Sequence, residues 1–540
     1  MLLFLIFFSL IEIIASQNPL VITKYGPVVG TTYTTTNGAK VSEFIGVPFA
    51  APPIGNLRFE KPQPPIPWTA PKHVVAYQPA CVPCEREQYT FSEDCLYLNI
   101  WTPSLNNTLF PVVIYIHGGG YINGAGSMDN RQMREIYAQN GVVFVSIQYR
   151  LGVLGFMTLN DTRLPANLGL WDQNMALRWV QENIGKFGGD SKRVTIWGTS
   201  AGSSSVGQHT LSPKSQGLFQ QAFEQSASPI AAFARGNENV EFAMNTIIQL
   251  RCSTHGDVKS CLRTKSLDDF FNVGKGCHYN DLTIFATSPM IDGDFFTEQP
   301  EQAIQSAPVI PTLIGLNSNE GRLFILQAAL PFSLASQSWN SMTDDVFYDL
   351  IEQWVVNRGY NEQAQQAAED IFQFYAQNNK NASDHYFWIE QWTRLFTDFF
   401  FNVPAVREAV LKSQAKSPVY AFVLDYFNQE TWPANYPCQG STHTSEMPYC
   451  LGENVNFTPT QEDVTVANFM REFIIQFIKT GNPSIAAFKW DPFTASQLQY
   501  LSFKPKPSMS TDLFVDSYNF WTKTMQKYNF DFVTRRAWSA

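Results

Sequence analysis

The sequence predicts an α/β protein built around one large, mostly parallel central sheet flanked by helices. Two observations carry this prediction. Short runs rich in β-branched and aromatic residues recur along the 540-residue chain, and helical patterns separate them. The runs are apolar almost throughout rather than alternating, which marks strands buried on both faces.

PVVIYI (111–116) is the first such run and ends in the glycine cluster Gly118–Gly120. VVFVSIQ (142–148) and RVTIWG (193–198) follow, then PTLIGL (311–316) and VYAFVL (419–424). Between the second and third runs, Leu168, Trp171, Met175, Trp179 and Val180 recur at three- and four-residue spacing, which predicts a helix over 168–184. Strand, helix, strand is the order that a parallel crossover requires. The proline-rich segment 48–71 can form neither a central strand nor a helix, so it is expected to wrap the surface.

No proline- or glycine-rich linker, charge block or internal repeat divides the chain. Residues 17–540 are therefore expected to form one domain with insertions. Residues 1–16 form a short apolar run ending in Ala15 and Ser16, too short to span a bilayer, and read as a signal peptide. No later stretch reads as a membrane anchor. Eight cysteines and acceptor sequons at Asn106, Asn160, Asn381 and Asn456 agree with a secreted, disulfide-bonded glycoprotein. A net charge of −10 argues against nucleic acid as a partner, because neutralising phosphates takes a basic surface.

The chemistry is concentrated in GTSAG (198–202), which follows the run RVTIWG and precedes a segment that can be helical. A serine hydroxyl is a poor nucleophile until a base takes its proton. A strained strand-to-helix turn with small neighbours lifts such a hydroxyl above a sheet, where a base can reach it. Ser200 is thus the candidate nucleophile. HGGG (117–120), at the end of PVVIYI, offers a glycine run whose N–H groups can face a developing oxyanion.

The acid and base of this arrangement follow the serine in that order. Glu320 stands in the loop NSNEG after PTLIGL; Asp425 comes one strand too late, and Asp292 and Asp294 come before the strand. Among the seven histidines, His73, His117, His209 and His255 precede or closely follow the turn at Ser200. His278 and His385 also precede the last run. Only His443, in CQGSTHTSEMPYC, comes after VYAFVL.

These segments together resemble the type-B carboxylesterase and cholinesterase family of α/β-hydrolases. The likeness extends through EFIGVPFAAPPIGNLRF (43–59), SEDCLYLNIWTP (92–103), HGGGYINGAG, QYRLGVLGF (148–156), the long segment 167–202, EQSASP, IGLNSNEG and the His443 loop. The resemblance implies a triad of Ser200, Glu320 and His443. It also implies an oxyanion hole from the N–H groups of Gly119, Gly120 and Ala201, and ester hydrolysis through an acyl-enzyme without metal or cofactor. It further implies bridges Cys81–Cys95 and Cys252–Cys261. Four cysteines remain (84, 277, 438 and 450), which allow three pairings. Cys438 and Cys450 bracket His443, and their pairing is the one we expect.

Two features depart from the family. Thr199 stands where a glutamate is usual before the nucleophile, and the loop 81–95 contains no tryptophan. Both changes remove cation-binding groups, so the expected substrates are small uncharged esters. Thr283 and Phe285 resemble the family's acyl-pocket segment with one bulky aromatic rather than two. A lipase or amidase with the same triad is the alternative that the sequence does not separate from an esterase. A cholinesterase-like adhesion ectodomain without catalysis is the alternative of another class; such proteins lack triad residues and carry a transmembrane segment.

Overall fold

The computed structural model describes residues 18–538, apart from 107, 237, 275–276, 278–285, 328–331, 378, 380 and 454. The expected signal peptide, His278, Thr283 and Phe285 lie outside the described residues.

The centre of the fold is an eleven-stranded sheet. In chain order its strands are β1 (Thr31–Thr34), β2 (Lys40–Pro48), β3 (Tyr97–Thr102), β4 (Phe110–Ile116), β5 (Val143–Ile147), β6 (Gly189–Thr199), β7 (Gln221–Gln225), β8 (Thr312–Asn317), β9 (Val419–Leu424), β10 (Tyr500–Phe503) and β11 (Ser508–Ser510). Across the sheet the order is β11-β10-β9-β8-β7-β6-β4-β5-β3-β2-β1. From β10 to β5 every pair is parallel, while the two margins are antiparallel. The expectation of a mostly parallel sheet holds at the centre, and the antiparallel margins are additional to it.

Alternation along the strands divides the core into two layers. Val112, Ile114 and Ile116 of β4 face one cluster with Val143, Val145 and Ile147 of β5. Val113, Tyr115, Phe144 and Trp197 face the other. The first layer is covered by helix α1 (Leu168–Asn183) through Leu170, Leu177, Trp179 and Val180. Helix α3 (Gln461–Thr480) covers the second layer, its Phe473, Ile474, Phe477 and Ile478 pointing inward. Burying each such side chain is worth about 1.5–3 kcal/mol. Thr460 and Asp463 form a reciprocal cap at the start of α3, and Gly481 ends the helix in a left-handed conformation.

Helix α1 departs from the stripe that its sequence suggests. Trp171 and Met175 are only half buried, whereas Asp172, Gln173 and Asn174 are buried. Hydrogen bonding makes this tolerable: Asp172 meets Arg150, Gln173 meets Ser205 and His209, and Asn174 meets Ser215. The proline-rich segment is irregular but not merely superficial, since Phe49 and Phe59 are both buried.

Strand register decides where the connecting loops meet. Gly198 lies opposite Ile116 across the β6–β4 ladder, and Thr199 opposite Gln225 across β6–β7. The loops after β4, β6 and β8 therefore leave the same edge of the sheet, the carboxyl edge where open α/β sheets place their ligands. No helix among the described residues is long and apolar enough to cross a membrane.

Candidate active site

Ser200 sits between β6 and helix α2 (Ala201–Leu211) with φ 59° and ψ −125°. That backbone is strained for a residue bearing a Cβ. The residues two positions away on either side must be glycine for steric reasons. A Cβ on Gly198 would lie 2.2 Å from the Gly202 carbonyl, and one on Gly202 would lie 2.1 Å from the carbonyl oxygen of Ile116. The Ser200 N–H donates to Gln225 O at 2.8 Å, so β7 holds the turn from behind.

The residues expected to act with Ser200 are brought to it. His443 Nε2 lies 2.9 Å from Ser200 Oγ, and His443 Nδ1 lies 2.7 Å from Glu320 Oε2. Glu320 is wholly inaccessible and His443 nearly so. The other oxygen of Glu320 accepts the Asn317 N–H at 2.8 Å, which fixes the carboxylate's orientation. The His443 N–H donates back to the Glu320 carbonyl at 3.3 Å. Phe324 and Phe401 pack against the imidazole, with ring centroids 5.2 and 4.8 Å away.

The other acids and histidines go elsewhere. Asp425 is half exposed and pairs with Lys504 at 2.9 Å. Asp294 pairs with Lys61 and Lys214, and Asp292 caps the backbone of 294–296. His209 is buried between Ser215 and Gln173, His385 bonds to Met342 O, and His73 and His255 are exposed.

The glycine loop flanks the serine. Gly119 and Gly120 have φ 103° and 61°, where glycine is favoured. Their N–H groups, and that of Ala201 at the start of α2, donate to no other group among the described residues. His117 anchors the loop: its ring stacks on Tyr149 at 4.4 Å, and Nδ1 lies 2.8 Å from Gly118 O. Burial lowers the pKa of His117 to about 4, so the ring is neutral at pH 7.

A second carboxyl group lies beneath the site, and no motif in the sequence singles it out. Glu446 is buried three residues beyond His443. Its oxygens accept from Gln225 Nε2 at 2.7 Å and from Asn317 Nδ2, which also reaches Glu320. Burial, and then the neighbouring charge of Glu320, raise its pKa above the usual carboxylate range. Its spacing from His443 within THTSE is the only signal that the sequence offers.

Above Ser200 opens a cavity of about 560 Å³. Phe233, Leu323, Phe324, Phe400 and Phe401 line part of it, and the four phenylalanine rings form a contiguous wall. Tyr115, Met128, Thr199, Met447 and Glu453 line another part.

The cysteines correct one expectation. Cys81 is joined to Cys95, Cys252 to Cys261, and Cys84 to Cys277, while Cys438 and Cys450 are free. The expected Cys438–Cys450 bridge is absent because the two thiols face different layers of the core. Cys438 packs on the α1 side next to Arg322 and Glu390, and Cys450 packs on the α3 side against Gln225. Burial raises both thiol pKa values, that of Cys438 to about 12.

Residues 17–521 match the Carboxylesterase family. The chain belongs to that family, and it is a carboxylic ester hydrolase with the α/β-hydrolase fold. It is 34% identical to gut esterase 1 of Caenorhabditis briggsae, covering 95% of this chain and 94% of that protein. It is 33% identical to an acetylcholinesterase of Bungarus fasciatus over 90% of this chain and 82% of that one. An acylcarnitine hydrolase of Mus musculus is 29% identical, with 94% and 91% covered.

Proposed function

We propose that the chain hydrolyses small uncharged carboxylic esters through an acyl-enzyme on Ser200. His443 takes the serine proton during attack and returns it to the leaving alcohol. Glu320 holds the imidazole in the tautomer that presents a lone pair to Ser200. The N–H groups of Gly119, Gly120 and Ala201 receive the oxyanion, and the dipole of α2 favours the same charge. Water then attacks the acyl-enzyme with His443 again as base.

The observation that carries this reading is the unbroken chain Glu320–His443–Ser200, with contacts of 2.7 and 2.9 Å. The aromatic wall favours an apolar acyl group, and a lipase or amidase reading has no feature of its own to support it. A fluorophosphonate probe tests the assignment: Ser200 alone should be labelled, and labelling that persists in Ser200→Ala would sink it. We further propose secretion of residues 17–540 as one unit. Three disulfides and the exposure of Asn106, Asn160, Asn381 and Asn456 as glycan acceptors support this.

A further inference from the structure

We infer that Glu453 reads the leaving alcohol, selecting esters whose alcohol carries a hydrogen-bond donor, a hydroxyl in the uncharged substrates proposed above. The inference rests on that esterase reading and adds to it.

A substrate bound across Ser200 has two ends, and the cavity offers two kinds of wall. The contiguous phenylalanine rings suit an apolar acyl chain, which leaves the alcohol to the wall of Tyr115, Thr199, Met447 and Glu453. Among the described residues three carboxylates line the cavity, Glu85, Glu87 and Glu453, and no lysine or arginine does. Glu85 and Glu87 are exposed and solvated, whereas Glu453 is half-buried.

Glu453 is only half satisfied. Its Oε1 accepts the Asp129 N–H at 2.9 Å, and Oε2 has no hydrogen-bond partner among the described residues. The hydroxyls of Tyr115 and Thr199, on the same wall, are committed elsewhere. Tyr115 donates to Thr199 Oγ1 at 3.2 Å, and Thr199 donates to Met447 Sδ at 3.8 Å. Oε2 is open to the cavity, so water is its donor until a hydroxyl of the bound alcohol displaces that water. Burial pushes the Glu453 carboxyl up to about 7 against the lowering effect of the Asp129 N–H, and the Asp129 charge adds to the rise. A carboxylate whose anionic form is this poorly stabilised gains from an added donor.

Propyl butyrate and 2-hydroxyethyl butyrate, nearly equal in shape, form the test pair. The ratio of kcat/KM for the hydroxyethyl ester to that for the propyl ester cancels effects common to both. In Glu453→Leu this ratio should fall at least about tenfold from its wild-type value at pH 8, as expected for loss of a hydrogen bond to a charged group. Glu453→Gln, which keeps one acceptor oxygen and the shape, should lose several-fold. It decides the matter alone if the leucine variant fails to fold. An unchanged ratio in the folded variants overturns the inference while leaving the esterase reading intact. Wild-type protein that hydrolyses neither ester would instead count against that reading.

Discussion

Arg150 and Asp172 form a two-pronged ion pair inside the core. Nε meets Oδ2 at 2.7 Å and Nη2 meets Oδ1 at 2.8 Å, with both side chains almost fully buried. The pair ties the segment after β5 to the first turns of α1, close to the sheet edge that carries the site. Removing one member leaves a buried charge without its partner. Asp172→Ala should therefore lose about 3–5 kcal/mol, read as a shift in the denaturant midpoint. Replacing both residues with apolar side chains of similar size should recover much of that loss. A wild-type midpoint in Asp172→Ala would refute the account.

Glu320, not Asp425, is expected to orient His443. Losing the orienting acid leaves the wrong tautomer and typically costs about 10⁴ in kcat. Glu320→Gln should show a loss of that order with stability nearly kept, while Asp425→Asn should only loosen a surface pair with Lys504. The roles would have to be exchanged if Asp425→Asn were the inactive variant.

What the sequence makes legible depends on where the information lies. The five strands read from it are all strands of the sheet, because continuous apolar runs have few other uses. β7 escapes that reading: its sequence QAFEQ is mostly polar, and Glu224 and Gln225 are buried through partners distant in the chain. β2 escapes it because Ser42, Glu43 and Gly46 interrupt its apolar pattern, although Glu43 is buried against Arg134. In the site, motif order points to the three residues that the fold brings together. Glu446 and Glu453 stand in no motif, and only the cavity and the hydrogen bonds around them single them out. Bracketing in the chain suggests one cysteine pairing, whereas the actual pairing depends on which face of a sheet each thiol occupies.

Gly202→Ala should be more damaging than its size suggests. The new methyl would lie 2.1 Å from Ile116 O and 2.7 Å from His117 O, forcing apart the turn at Ser200 and the glycine loop. Fluorophosphonate labelling should slow by at least about a hundredfold, the scale set by loss of one oxyanion donor. Rapid labelling in a folded Gly202→Ala protein would show that the close approach is dispensable.

The bridges should differ in worth. Cys84–Cys277 joins residues 193 apart, and Cys252–Cys261 residues only 9 apart. By loop closure alone the first is worth about 5 kcal/mol and the second roughly 2.5. Replacing the first pair with serines should lower the denaturant midpoint clearly more than replacing the second. The reverse order would mean that local packing, not chain entropy, governs these bridges.

Neutral butyryl or longer esters should exceed acetylcholine analogues in kcat/KM by at least about tenfold, or ~1.4 kcal/mol of transition-state binding. No tryptophan face is available in the loop 81–95 for a quaternary ammonium, and Thr199 supplies no charge beside the nucleophile. Glu85 and Glu87 can attract cations to the cavity, but that attraction fades with salt, and Glu453 deeper in it brings a carboxylate with no tryptophan face among the described lining residues to hold the ammonium. Equal turnover of a choline ester at physiological salt would overturn the preference.

All three bridges lie between Cys81 and Cys277, and the two cysteines beyond them are free. The nucleophile thus belongs to the cross-linked half of the chain, and its acid and base belong to the half held without a covalent bridge. Under mild denaturation the uncrosslinked half can depart first, taking Glu320 and His443 away while Ser200 stays on its turn. Turnover would then vanish ahead of bulk unfolding. Enzymatic rate becomes an early-warning gauge for the carboxyl-terminal half, and added thiol reductant would blunt it only indirectly, by loosening the other half.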